Sequence, residues 1–383
     1  MQSLIDQVAA ESGLTPGESE VARQMVICNA CRYCEGYCAV FPAMERRLEF
    51  GRGDVQFLAN LCHDCGACLH ACQYAPPHEF AVNVPAAMAA VRSTTYEAHA
   101  WPAAFGALYR RQGAWVAAAL AGGLALFFLL GLARNGTLAG AADGRGNFYS
   151  VFPHGLMVTI FGLASLWIVL AFAIGVVRFW RGLPVRNDPV SMTAATVDAA
   201  GAALTLRYLD GGGDGCNVED DRPTHWRRRF HHLTFYGFAL CFASTSVATL
   251  YHYALGWPAP YPYLSLPVVL GTVGGVGLLI GPLGLMVLGG RRHPMQSHRA
   301  QKAMDHGFLV LLFATSLTGL LLLFLRETAA MPALLAVHLG IVLALFATLP
   351  YGKFAHAVYR VAALAKDAIE KRQPRHFDVG SEP

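Results

Sequence analysis

Six long apolar runs, at 112–133, 151–177, 233–255, 264–289, 307–325 and 332–350, restrict this chain more than any other feature of it. The hydrocarbon core of a bilayer is about 30 Å thick, and about 20 helical residues at ~1.5 Å each cross it. One such run is satisfied by a buried core helix. Six in succession call for a membrane domain. Charged residues make up 14% of the chain, against about a quarter in soluble domains, and mean hydropathy is +0.39.

The basic residues orient the spans. With the N-terminus inside, all but three of the 29 lysines and arginines fall on the inner side, and Arg134, Arg145 and Arg326 alone on the outer. That is the positive-inside pattern of an even number of spans with both termini cytoplasmic, in an inner membrane. The opening residues, MQSLIDQVAAESGLTPGESE, have neither the basic start nor the apolar stretch of a secretory signal, so the first hundred residues are expected in the reducing cytoplasm. A net charge of +4 gives no reason to expect a nucleic-acid partner.

The expected class is mostly α. Residues 1–93, whose cysteines write CxxCxxCxxxC twice, are expected to form a helical two-cluster [4Fe–4S] ferredoxin-like domain, 94–111 a juxtamembrane linker along the surface, and 112–383 a six-helix transmembrane bundle with a cytoplasmic C-terminal tail. The inner loop 178–232, with its GGGDGC turn, is too long for a simple connector and is expected to pack on the soluble domain or on a partner.

Eight of the ten cysteines write CxxCxxCxxxC twice, at Cys28, Cys31, Cys34 and Cys38 and again at Cys62, Cys65, Cys68 and Cys72. Three thiolates on a tight turn grip three corners of a cubane, and in two-cluster ferredoxins the fourth ligates the other cluster. Cys28, Cys31, Cys34 and Cys72 are therefore assigned to one cluster, and Cys62, Cys65, Cys68 and Cys38 to the second. Structural zinc needs neither the third cysteine at equal spacing nor the repeated fourth. Eight cysteines satisfy two cubanes, which leaves His63, His70 and His78 as exposed or hydrogen-bonded side chains. The stretch 46–61 reads as a helix between cluster loops. Prolines come late, at Pro42 and Pro76, which resembles the helical iron–sulfur subunits of succinate dehydrogenase and heterodisulfide reductase more than small ferredoxins. Cys216 reads as a plain loop thiol and Cys241 as packing inside a span.

Histidines inside a bilayer are candidate axial ligands of haem. His338 and His356 are 18 residues apart, which at about 100° per residue is five full turns on one long helix, with one end near each leaflet. Partners at matching depth are His252 on the outer side and His231 or His232 on the inner, His231 having the better direction. His154 and His306 are held in reserve, and His225, His293 and His298 belong to basic inner loops.

The chain resembles the tricarballylate (citrate) utilization protein B family over nearly its full length. The doubled cysteine run carries the likeness, with GCNVEDDRPTHWRRRFHH from Gly215 to His232 and FYGFALCFAST from Phe235 to Thr245. DHGFLVLLFATSLTG from Asp305 and PYGKFAH to His356 are similar to the haem-binding gamma subunit of respiratory nitrate reductase, in which a histidine pair 18 apart ligates two haems. The resemblance implies a membrane-bound electron-transfer protein that reoxidises an FAD-dependent tricarballylate dehydrogenase. Electrons would pass through two [4Fe–4S] clusters and two b haems to membrane quinone. It implies no substrate-converting site on this chain. Service in cobalamin biosynthesis, where the same two parts occur fused, and an iron–sulfur redox sensor or scaffold are the alternatives.

Overall fold

The computed structural model describes residues 13–139, 146–184, 189–296 and 298–374. Arg145, Arg186 and Arg375 of the charge pattern lie outside them, as do the first 12 residues and the end of the tail. The described residues are helical and contain no β-strand, only an isolated bridge between Cys216 and Thr224.

Helix α1 (Pro16–Cys31) starts at a capping box. The Thr15 hydroxyl accepts from the Glu18 N–H at 3.3 Å, the Glu18 carboxylate accepts from the Thr15 N–H at 2.9 Å, and Pro16 occupies the first turn, where its missing N–H costs nothing. Short α2 (Val40–Met44), α3 (Arg52–Leu61), α4 (Ala67–His70) and α5 (Val84–His99) complete the N-terminal unit. Of the expected helix over 46–61 only the α3 part forms. Before it, Arg47 is held between Asp54 at 2.6 Å and Glu370 at 2.7 Å, which fixes a turn there. Helix α5 runs without a break through residue 94, where the linker was expected to begin, and a 3-10 turn (Ala103–Arg110) follows.

Six segments are long and apolar enough to cross a membrane. They are α6 (Gln112–Asn135), α7 (His154–Gly182), α9 (Trp226–Ala254), α10 (Leu266–Gly290), α11 (Arg299–Leu325) and α12 (Met331–Thr348) with its continuation α13 (Ala355–Glu370). Their apolar sides are largely uncovered. On α9 only Gly237 is buried, and Leu166 on α7 and Phe242 on α9 are 65% and 69% exposed. Surface of that kind is stable against lipid and not against water.

The last segment is not one straight helix. α12 ends at Thr348, residues 349–351 tighten into a 3-10 turn, and Gly352 is extended before α13 begins. Pro350 lacks the N–H that would continue the ladder. Freed carbonyls find other donors: the Tyr109 hydroxyl bonds to Pro350 O at 2.7 Å and the Gln112 amide to Tyr351 O at 2.6 Å. The 18-residue periodicity that placed His338 and His356 on one face therefore does not hold across this break.

α13 is no tail. Tyr359, Ala363, Leu364 and Ala368 belong to the same core as Val21, Met25, Phe57, Leu58 and Met88 of the N-terminal unit. Arg46 bonds Asp367 at 2.6 Å. Helix α8 (Met192–Leu204), in the inner loop, adds Ala195, Ala199 and Ala202 to this core.

In the membrane segments α6 and α12 cross at glycines. A Cβ on Gly123 would meet Gly340 O at 2.3 Å, and one on Gly340 would meet the Leu124 backbone at 2.9 Å. Gly340→Val is expected to destabilise the protein by about 1–3 kcal/mol through overpacking, read as a lower unfolding temperature in detergent. Gly122→Ala, where nothing lies within 4 Å, should leave that temperature unchanged or raise it.

Candidate functional site

Helix ends present the two cysteine runs. Cys28 and Cys31 lie on the last turn of α1, which stops as Arg32 turns left-handed at φ 56°. Cys62 follows the last residue of α3, and Cys68 lies on α4. The fold crosses the runs over. Cys28 is close enough to Cys31, Cys34 and Cys72 for their thiolates to repel, and Cys38 stands with Cys62 and Cys65. Cys38, Cys62, Cys65 and Cys68 line one small cavity of about 20 Å³.

Among the described residues, no three His, Cys, Asp or Glu side chains converge on a point that would hold a single metal ion. Four thiolates that each bind a different corner of a cubane stand farther apart than four that share one ion, and an all-sulfur donor set suits iron–sulfur chemistry. Cluster residues also meet hydrogen-bond donors: Cys62 Sγ accepts the Asp64 N–H at 3.3 Å.

Burial comes first and neighbouring thiols second in pushing the Cys28 and Cys34 thiols up to about 12. Burial raises Cys38 and Cys68 as well. Cys65 is the exception, held down by a hydrogen bond from Cys216. Exposure differs between the sets. Cys62 and Cys65 are buried, whereas Cys38 and Cys68 of the same set and all four of the other, Cys28, Cys31, Cys34 and Cys72, are partly open, with Tyr33 68% exposed between Cys31 and Cys34.

Two arginines grip the carbonyl end of α3. Arg92 on α5 bonds Cys62 O, and Arg360 on α13 bonds Leu61 O. The loop that follows is clamped by Asp64, which sits at φ 57° and pairs through its carboxylate with Arg292 at 2.8 Å. Gly66 is required at φ 86°, where a Cβ would strike Gln296 and the Asn217 carbonyl.

Beyond this loop lies a second cavity of about 300 Å³ between the N-terminal unit and α9, α10, α11 and α13. His63, His231 and His356 face it. The His63 ring is 6.5 Å from that of His231 and 6.2 Å from that of His356, edge-on to both. The Nδ1 atoms of His231 and His356 are buried without a hydrogen-bond partner. The walls are otherwise apolar, with Phe235, Phe238, Leu309 and Phe354, and cationic at the inner end, with Arg227, Lys302 and Lys353. Unsatisfied imidazoles across an apolar slot with cations at its mouth are a donor set and lining that fit a haem. Burial, with Arg360 second, drives the His63 pKa well below 6.5, so that this ring is neutral at pH 7. Only His63 and Asp64 line both cavities.

The Nδ1 atoms of His298, which also lines the cavity, and of His252 are likewise buried without a hydrogen-bond partner. His232 bonds Thr205 O at 3.2 Å, away from the cavity. His306 lines the cavity but is tied to Lys302 O at 3.1 Å. On the outer side, His252 stacks on His154 with centroids 4.1 Å apart. His338 bonds the Thr318 hydroxyl at 3.0 Å and packs on Gly319, and among the described residues no ring contact joins it to His252. His70 bonds Asp221 at 2.8 Å, His225 pairs with Asp210 at 3.3 Å, and His78 lies against Tyr74 and Phe80. Sequence reasoning missed His63, because counting eight cysteines for two cubanes left it no role; its place between Cys62 and Cys65 was the available signal.

Comparison with known proteins agrees with this geometry. Residues 21–98 match the family described as citrate utilization protein B Fer4-like domain, and residues 107–376 match citrate utilization protein B. The chain is 57% identical to citrate utilization protein B of Escherichia coli over 371 residues, 96% of this chain and 97% of that protein. The chain belongs to the citrate utilization protein B family. No solved structure matches it. The boundary between the two family regions falls between α5 and α6, within the stretch 94–111 expected as a linker. The family's Fer4-like region holds all eight cysteines of the doubled run, and the four cavity histidines outside it, His231, His298, His306 and His356, come from the second region.

Because thiols held near 12 keep their protons, iron must displace them. Reconstitution of cluster-free protein with ferrous iron and sulfide is expected to be slower at pH 6.5 than at pH 8.5 and to release protons, followed with a pH indicator in weak buffer.

Proposed function

We propose that this chain is the membrane electron-transfer partner of an FAD-dependent dehydrogenase in citrate or tricarballylate utilization, and that it delivers electrons one at a time towards membrane quinone. The observation that carries this reading is the pair of cavities. One is lined by Cys38, Cys62, Cys65 and Cys68, the other by His231 and His356, and His63 with Asp64 is the wall between them.

The direction follows from exposure. Cys28, Cys31, Cys34 and Cys72 hold the outer cluster, where the partly open thiols and exposed Val26, Tyr33 and Leu48 let a flavoprotein approach. Cys38, Cys62, Cys65 and Cys68 would hold the inner cluster, with Cys62 and Cys65 buried and His63 and Asp64 between it and the histidine cavity. His231 and His356 would hold one b haem, and Arg227, Lys302 and Lys353 would offer positive charge to its carboxylates. When bound, these groups supply one-electron redox chemistry, which splits the flavin's two-electron delivery. The chain's residues do the placing: Arg92 and Arg360 fix the inner cysteine loop, and Asp64 locks that loop to the basic turn before α11.

The reading commits to one haem, where two were expected from the sequence, because His231 and His356 line a cavity of about 300 Å³. The purified protein should contain one b haem per chain by pyridine haemochrome. His231→Ala and His356→Ala should each abolish it or turn it high-spin, and His338→Ala should retain it. Two haems per chain, or loss in His338→Ala alone, would return the outer site to the scheme. Cys65→Ser is expected to stop quinone reduction by a reduced flavoprotein partner in membranes, and an undiminished rate would sink the relay.

A further inference from the structure

Helix α8, in the inner loop, is covered on one side only, and its other side does not suit water. Ala195, Ala199 and Ala202 face the core shared with the N-terminal unit. Opposite them, at helical spacing, stand Thr193, Val197, Ala200 and Leu204, all exposed, with Val197 67% and Leu204 50% open. The one charge on the helix, Asp198, pairs with Arg207 at 3.0 Å and Arg372 at 3.3 Å. The exposed Thr196 hydroxyl is bonded back to Met192 O at 2.9 Å. A helix apolar all round belongs in a protein core or against lipid, and α8 has a core on one side.

The depth at which α8 ends tells what covers the other. Arg228, His232 and Tyr236 are spaced four apart along one face of α9, and all three meet the carbonyls at the end of α8. The Tyr236 hydroxyl donates to Leu204 O at 2.8 Å, Arg228 donates to Thr205 O at 3.1 Å, and His232 Nε2 is 3.2 Å from that same oxygen. Tyr236 lies inside the apolar run that begins at 233, so Leu204 stands level with the first turn of a membrane segment. A soluble partner cannot reach that level without displacing lipid. Half-open Leu233 and Tyr236 continue the apolar face onto α9, and exposed Trp226 carries Arg229 over its ring at 5.0 Å, an aromatic and a cation where headgroups lie.

We propose that α8 is an interfacial helix: phospholipid of the inner leaflet covers Thr193, Val197, Ala200 and Leu204, Arg229 beside Trp226 meets a headgroup phosphate, and the cysteine unit is thereby fastened to the membrane surface. This rests on the reading of α9 as a span. The test is photolabelling of the wild-type protein in nanodiscs of phosphatidylcholine and phosphatidylglycerol, doped with a phospholipid that carries a diazirine on its acyl chain next to the glycerol. Labelled peptides are found by mass spectrometry. The peptide holding 192–204 is expected to be labelled as strongly as the one holding Phe242, the exposed reference on α9. A label on Phe242 with none on 192–204 overturns the proposal. Val197→p-benzoylphenylalanine, irradiated in cell membranes, is expected to give a phospholipid adduct; an adduct to a second copy of the chain or to another polypeptide overturns the proposal as well. No label on Phe242 defeats the reading of the span itself, and the ground for this proposal with it.

Discussion

Two buried guanidiniums at one helix end hold this protein together. The last carbonyls of α3 have no partner within the helix, and its C-terminus carries partial negative charge. Arg92, from the same half of the chain, and Arg360, from the far end of the other, fill that place. Burying a cation costs several kcal/mol unless anions and hydrogen bonds surround it. Here Arg92 has Asp64 and Cys62 beside it, and Arg360 has Cys38 and Cys62. Thiolates on iron would complete the neutralisation, so the same charges that seat the helix also offset the negative charge of a cluster. Mechanical and electrostatic roles fall on the same two side chains.

From that anchor the rest follows by proximity. The cysteine loop after α3 is pinned by Asp64 to Arg292, its backbone is bonded by Arg227 at the start of α9, and Gly66 lets the Asn217 carbonyl close on it. The loop is thereby a floor for the membrane segments and a wall of the histidine cavity at once. An electron carrier needs rigid spacing between its centres, and this arrangement provides it without a long connector.

Much of this was legible in the sequence. Apolar run length gave the six segments because no other device places twenty uncharged residues in a row so often, and the doubled cysteine spacing gave the crossed sets because a fourth cysteine past a short turn reaches the neighbouring set. His231 over His232 followed from helical direction. What escaped was set by tertiary contacts or by local chemistry outweighed in the reading. Pro350 and Gly352 interrupt the helix whose regular turn was assumed to join His338 to His356. Thr318, twenty residues from His338 in sequence, takes up its nitrogen. His63 and Cys216 gain their settings only when two halves of the chain meet. No periodicity reports such a meeting.

The place of α13 has a consequence for how the molecule is made. Domains form from the N-terminus as synthesis proceeds. Here the first hundred residues lack part of their core, and the guanidinium of Arg360, until residue 370 has emerged. All six long apolar helices must be made before the cysteine unit can close. Its cysteine loops therefore stand open until the final helix shuts them in.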